Sequence, residues 1–255
     1  GCVSISGVSS DPCLNDQRSS QQVSVMAQDE IQIGSATLLT IGASYDHVSQ
    51  FGSFWSPRLG VTHDAGQAGI FKLLYGTAFR VPSVYERYYT SPSFSYGNPA
   101  LVPEKMRSLE VAWEKRFTQQ SRLTASVYHF HIARMVTTDE NGTTVNDGSK
   151  VEATGLELEY EQRWSNGSRL RTGYSIQHAA DATRRFDNSP RHMVKANLGL
   201  PTGIPHLMAG LESQWISART ADYGTQKVPS YLLANLNLLY TPAGQPWEIA
   251  LGIYN

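Results

Sequence analysis

FKLLYGTAFRVPSVYERYYTSPSFSYGNPALVPEKMRSLEVAWEKRF, residues 71–117, holds two alternating segments around a long aromatic and proline-rich stretch. In the first segment Phe71, Leu73 and Tyr75 fall on one face and Lys72 and Gly76 on the other. In the second, Leu109, Val111 and Trp113 oppose Glu110, Ala112 and Glu114. A period of two is that of strands with one apolar face. Two half-apolar strands joined by an adhesive loop suggest the wall of a membrane barrel.

Outward from this stretch the same pattern repeats. Twelve alternating segments are expected, at 20–33, 36–48, 56–64, 68–79, 105–117, 121–136, 150–164, 168–179, 191–200, 206–217, 229–240 and 246–254. Each has about the 9 to 11 residues, or slightly more, of a tilted transmembrane strand. Connections alternate in length. GSA (34–36), DAGQ (64–67), TQQS (118–121), SNGS (165–168), PTGIP (201–205) and TPAGQP (241–246) are short and rich in turn formers. The others, 49–55, 80–104, 137–149, 180–190 and 218–228, are longer, and outer-membrane barrels put short turns in the periplasm and long loops outside. The register is clearest at 156–161, where Leu156, Leu158 and Tyr160 alternate with Glu157, Glu159 and Glu161. A one-residue slip would turn three carboxylates toward lipid, costing a few kcal/mol in total, less than the ~2 to 4 kcal/mol per site of Arg or Lys at the midplane. Leu232, Ala234, Leu236 and Leu238 likewise point outward, Asn235 and Asn237 inward. Tyr45, Trp113, Phe117, Trp164, Tyr174, Trp215, Tyr240 and Trp247 fall near strand ends, where aromatic girdles form.

Composition agrees. The 255 residues are 17% charged and 40% apolar, with 21 Gly, 13 Tyr and 5 Trp, which favours strands and turns over helices. No apolar run reaches the ~18 residues of a transmembrane helix, and no signal-peptide pattern opens the sequence. The net charge of -1 gives no electrostatic case for nucleic acid. A soluble sandwich shares the alternation but wants shorter strands and no asymmetry of connections. Cys2 and Cys13 lie in polar, loop-like sequence where either a local disulfide or two free thiols is compatible with the residues.

Four stretches resemble the C-terminal part of the barrel of TonB-dependent outer-membrane receptors: SVMAQDEIQIGSATLLTIGASYD (24–46), YGTAFRVPSVYERYY (75–89) followed by GNPALVPEKMRSLEVAWEK (97–115), EATGLELEYEQRWSNGSRLRTGYS (152–175) and YLLANLNLLYTPAGQPWEIALGIYN (231–255). The resemblance implies an all-β, transmembrane antiparallel barrel, with about twelve strands, tenth to twenty-first, of a 22-stranded whole. It divides the chain into an extracellular loop remnant, 1–19, and a partial barrel, 20–255, with the plug, the TonB-contacting segment, the early strands and the last strand lying outside it. It also implies a multi-pass protein of the Gram-negative outer membrane that takes up a scarce nutrient, by default a ferric siderophore, with haem, cobalamin or carbohydrate as other family ligands. Expected partners are that metal chelate, the TonB complex and outer-membrane lipid with its lipopolysaccharide. No cofactor and no catalysis are expected. A porin-like channel or adhesin, or a barrel protease or phospholipase, are the readings of other classes; the sequence has no G-x-S-x-G or phosphate-loop motif.

Candidate ligand contacts lie on the outer loops, where tyrosine offers large contact area at little entropy cost. They are Phe51, Phe54 and Trp55; Tyr85, Tyr88, Tyr89, Phe94 and Tyr96; and Arg184, Arg185, Arg219 and Tyr223. The arginines suit an anionic chelate or lipopolysaccharide phosphate. Arg80, Glu86 and Glu104 are expected to anchor the long loop or touch the plug, with Pro82, Pro99 and Pro103 stiffening it, and Glu157 and Glu159 to face the plug. His129 and His131 share a strand face, but no third metal ligand is evident by spacing.

Overall fold

The computed structural model describes residues 18–91, 95–148, 150–180, 188–221 and 225–255. Within them runs a twelve-stranded antiparallel sheet whose spatial order is its sequence order, a pure meander. Its strands are β1 (Gln22–Ile33), β2 (Thr37–Val48), β3 (Gly52–Asp64), β4 (Ile70–Arg80), β5 (Glu104–Thr118), β6 (Ser121–Ala133), β7 (Lys150–Arg163), β8 (Arg169–Ala180), β9 (His192–Pro201), β10 (Leu207–Ile216), β11 (Tyr231–Tyr240) and β12 (Ile249–Ile253). The sheet is open: β1 and β12 are its two edges.

The glutamate ladder sets the register. Glu157, Glu159 and Glu161 pair with Ser126, Thr124 and Arg122 of β6 and with Ser175, Gly173 and Arg171 of β8. Leu156, Leu158 and Tyr160 take the opposite face, with Val127, Ala125 and Leu123. Large apolar side chains lie open along that face: Val111 is 49% exposed, Val127 50% and Leu251 61%. Among the described residues no large side chain is fully buried. A soluble sandwich would hide these groups against a second sheet, whereas a continuous exposed apolar face is what lipid covers.

The polar face carries a relay of ion pairs across β4–β8. Lys72 reaches Glu114 at 3.8 Å, Arg122 lies 3.6 Å from Glu114 and 3.1 Å from Glu161, and Arg171 lies 3.6 Å from Glu161 and 2.7 Å from Glu159. Each pair is part-exposed and weak alone. Together they fix long side chains against the wall. Gly155 serves this face too: the Tyr128 ring lies across it, and its hydroxyl donates to Gln177 Oε1 at 3.4 Å, two strands away. A Cβ at 155 would collide with that ring.

Turns at one end are short. Gly34 and Gly167 adopt φ of 62° and 89°, a region open to glycine at no steric cost. At the other end most connections are long and carry structure of their own. Small hairpins pair Thr90–Ser91 with Ser95–Tyr96, Val136–Thr138 with Thr144–Asn146, and Arg219–Ala221 with Gln226–Val228. A five-residue helix, α1, spans Val84–Tyr88.

Three expected boundaries are corrected. The connection expected over 49–55 is a tight turn, closed by Phe51 N–H to Val48 O at 2.9 Å, and β3 begins at Gly52, so Phe54 and Trp55 are strand residues. The sixth strand stops at Ala133 rather than 136 because Arg134 takes φ 59°. The last, expected from 246, is the short β12.

Candidate functional site: an anchored loop at the barrel mouth

The β4–β5 loop, 81–103, is fastened at its base by Arg80. Register sets Arg80 opposite Glu104. Arg80 Nε donates to Glu104 Oε2 and Nη2 to Oε1, both at 2.7 Å, while Nη1 donates to both Glu86 oxygens at 2.9 and 3.0 Å. Bidentate, charge-assisted geometry of this kind fixes direction as well as contact. Glu104 Oε1 also accepts the Val136 N–H at 2.6 Å, tying in the next loop.

Glu86 has a second task. The sequence Ser83-x-x-Glu86 forms a capping box: Ser83 Oγ accepts the Glu86 N–H at 3.2 Å, and Glu86 Oε2 accepts the Ser83 N–H at 2.7 Å. Burial pushes the Glu86 carboxyl up, but the Ser83 N–H and the Arg80 guanidinium outweigh it and hold the group below its ordinary value.

The return limb lies on α1. Gly97 N–H donates to Tyr89 O at 2.7 Å, and a Cβ at 97 would meet backbone atoms of Arg87, Tyr88 and Tyr89 at 2.8 Å. Arg87 donates to Pro99 O at 2.9 Å and to Gln50 Oε1 at 2.6 Å, with its guanidinium 4.8 Å from the Phe51 ring and 4.9 Å from the Tyr88 ring. Asn146 stitches the exit to the 134–149 loop: its side chain donates to Val102 O and Arg134 O and accepts from Val102 N–H, at 2.9, 2.8 and 2.8 Å. Leu101, next to Val102 in the same exit segment, is 3% exposed.

The structure separates the expected aromatic contacts. Tyr85 and Tyr89, four residues apart, stack at 4.2 Å, with Tyr85 57% exposed. Tyr96 is exposed as well, its N–H held by Gly142 O at 2.8 Å. Tyr88 is engaged by Arg18, which donates to its hydroxyl at 2.7 Å, and Phe51 lies beneath Arg87. Phe54 stacks on Phe79 at 4.2 Å. Trp55 pairs with Tyr45 at 5.0 Å on the apolar face, away from the loop cluster. Arg219 stands apart, 5.5 Å from the Tyr231 ring and 3.4 Å from Asn188 Oδ1. Phe94, Arg184, Arg185, Tyr223, Cys2 and Cys13 lie outside the described residues.

On the polar wall, Glu159 is taken by Arg171, whereas Glu157 has no ion pair among the described residues and lines a concavity with Thr124, Ser126 and Lys195. No group of three or more metal-binding side chains occurs among the described residues. Sequence reasoning missed Arg87, Gln50, Gly97 and Asn146. Ser83-x-x-Glu86 was the one local signal of this anchorage that the sequence displayed.

A long antiparallel meander, apolar on one face and crowned at one end by structured loops, defines the wall of an outer-membrane-type β-barrel. The family model described as "TonB dependent receptor-like, beta-barrel" matches residues 3–255, and the chain belongs to that family. This is a family of Gram-negative outer-membrane β-barrels. The chain is 30% identical over 71 residues to the ferrienterobactin receptor of Escherichia coli K12, which covers 28% of the chain and 9% of that protein. Its fold matches the siderophore receptor PirA from Pseudomonas aeruginosa, with a TM-score of 0.76, 18% identity and 92% of this chain covering 43% of that one. The ferric-catecholate import receptor Fiu from E. coli K12 matches with a TM-score of 0.75, 15% identity and 92% of this chain covering 40% of that one. The chain thus spans less than half the length of these relatives. It resembles transporters and receptors, not enzymes.

Proposed function

We propose that this chain forms part of a Gram-negative outer-membrane receptor that takes up a ferric siderophore by TonB-coupled active transport. The 81–103 loop supplies the ligand-contacting edge. Its anchorage carries the reading: Arg80, Glu86 and Glu104 are committed to one another, so the loop presents Tyr85, Tyr89 and Tyr96 from a fixed base. Aromatic faces on a pre-ordered support suit a bulky, delocalised chelate because little entropy is lost on contact. Arg219 adds a cation for an anionic complex, and the outer-loop residues Phe94, Arg184, Arg185 and Tyr223 belong to the same proposed set. Phe51 and Tyr88 support this surface through Arg87, while Phe54 and Trp55 have partners elsewhere. The names of the relatives favour iron chelates among the family's cargoes.

Glu157, without an ion pair among the described residues of the polar wall, is the carboxylate we assign to a plug contact. TonB coupling would run through parts of the receptor beyond this wall. The test is growth of a receptor-deletion strain, complemented with the complete gene, on a panel of ferric chelates under iron limitation. Complementation should restore growth on at least one ferric siderophore and depend on TonB. Growth restored only by a non-iron nutrient, or without TonB, would reject the assignment.

A further inference from the structure

We propose that the polar face of β5–β8 carries, at its short-turn end, a binding station for a multiply anionic, oxygen-rich ligand. The ferric chelate on its way out of the barrel is one source of such a ligand and a soluble phosphate compound the other. The inference rests on the reading of this face as the barrel interior, and its chelate arm rests on the uptake proposed above. Register builds the station. Arg116 lies opposite Arg122, Arg122 opposite Glu161 and Glu161 opposite Arg171. Nearer the turn, Arg163 closes β7 and Arg169 opens β8; the two lie opposite one another, and the Arg163 N–H donates to Gln120 O at 2.9 Å. By the period of two all these arginines share the surface of Glu157 and Glu159.

The arrangement is unfavourable without a counter-ion. Like charges directly opposite one another on a sheet repel, and Arg116–Arg122 and Arg163–Arg169 are both pairs of that kind. Glu114 and Glu161 compensate Arg122, and Glu161 and Glu159 compensate Arg171. Arg116, Arg163 and Arg169 are exposed and enter no ion pair among the described residues. Their charge is left over after the ion-pair relay of the polar face has been satisfied.

Shape and chemistry select the ligand. Arg116, Arg122 and Arg163 line a concavity of about 260 Å³ completed by the 118–121 turn, with Glu161 the one carboxylate in its lining. The concavity beside it, about 300 Å³ and lined by Arg163, Arg169 and Arg171, holds both Glu161 and Glu212. The first is therefore the more electropositive. Guanidinium forks match paired oxygens on a phosphate or on the edge of a chelate. The hydroxyls of Thr118 and Ser121, 2.9 Å apart, and the side-chain amides of Gln119 and Gln120 add neutral donors. A space of this size admits a pyrophosphate or one edge of a bulky chelate. Because the arginines are exposed, salt should weaken the interaction.

The complete receptor, purified in mild detergent and checked for a folded barrel by heat-modifiable migration, would be dialysed to equilibrium against radiolabelled iron(III) tris-catecholate and, separately, against radiolabelled inorganic pyrophosphate. Tyr85→Ala/Tyr89→Ala serves as the background that removes the mouth site. In that background at least one of the two anions should bind, more weakly as salt is raised, and the one held more tightly names the source. Adding Arg116→Gln/Arg163→Gln/Arg169→Gln should weaken this binding roughly tenfold or more, as the loss of a charge-assisted hydrogen bond predicts. Arg116→Gln and Arg163→Gln alone should each lose part of it even if the triple variant does not assemble, and Arg163→Lys, which keeps the charge without the fork, should fall between. Salt-sensitive binding that persists in the tyrosine background of a receptor whose mouth binds no ferric chelate would reject the siderophore reading and leave this station standing. Absence of binding of both anions to a folded receptor, or binding unchanged in the glutamine variants, would overturn the proposal.

Discussion

Arg80 and Glu104, directly opposite one another at the long-loop ends of β4 and β5, are joined by two parallel hydrogen bonds of 2.7 Å. The remaining Arg80 nitrogen holds Glu86 in the loop between them. One guanidinium thereby closes the base of a loop of more than twenty residues that would otherwise have to be ordered by its own contacts.

Removing that guanidinium should loosen the loop while leaving the wall intact. Arg80→Ala is expected to destabilise the closed loop by about 1.5 to 3 kcal/mol, the usual worth of hydrogen bonds to charged groups. Hydrogen exchange should accelerate across 81–103 and around Val136, with unchanged heat-modifiable migration of the barrel. Arg80→Lys, which cannot reproduce the fork, should fall between the two.

Acidification should have a related effect. The folded Glu86 carboxyl is held below its ordinary value of 4.5, so its contribution to loop closure is fully present above that value and is lost as pH falls through the lower folded value. Loop exchange, corrected for intrinsic rate, should be flat near neutrality and rise only below about pH 4.5. In Glu86→Gln the acid-induced rise should be smaller.

Gly97 and Gly148 form a matched pair of probes. A methyl at 97 would meet backbone atoms of α1 at 2.8 Å, whereas one at 148 meets nothing within 4 Å. Gly97→Ala should push the return limb off the helix and weaken chelate binding several-fold in a fluorescence titration; Gly148→Ala should match wild type. Equal effects would remove the steric argument.

On the polar wall the two glutamates should behave differently. Glu157→Gln is expected to weaken association of a separately expressed plug with the barrel, because that carboxylate makes no ion pair with a wall cation among the described residues, although Lys195 lines the same concavity. Glu159→Gln should chiefly free Arg171. Identical plug retention in Glu157→Gln and wild type would sink this assignment.

Much of the wall was legible because every second residue meets a different solvent, and a ten-residue strand repeats that choice several times. At β3 the pattern failed. Gly52 to Trp55 reads as an aromatic loop, and Pro57, with no N–H to offer, coincides with the upper end of the β3–β4 ladder at Arg58–Gly76. The residue types of the anchor were legible, but the partnership was not. Arg80 meets Glu104 through register, and Asn146 reaches Val102 across forty-four positions, a distance no local pattern encodes. The small loop hairpins escaped for the same reason: two or three ladder pairs do not make a strand without such tertiary ties.

The most direct measurement is a titration of the complete receptor with ferric chelates, followed by tyrosine and tryptophan fluorescence, in wild type and in Tyr85→Ala/Tyr89→Ala. Saturable binding of a ferric siderophore by wild type, weakened by roughly tenfold or more in the double variant as expected for two aromatic anchors worth 1 kcal/mol or more each, is the predicted result. Absence of binding to any ferric chelate by a receptor correctly inserted in the outer membrane, or binding unaffected by loss of both tyrosines, would contradict it.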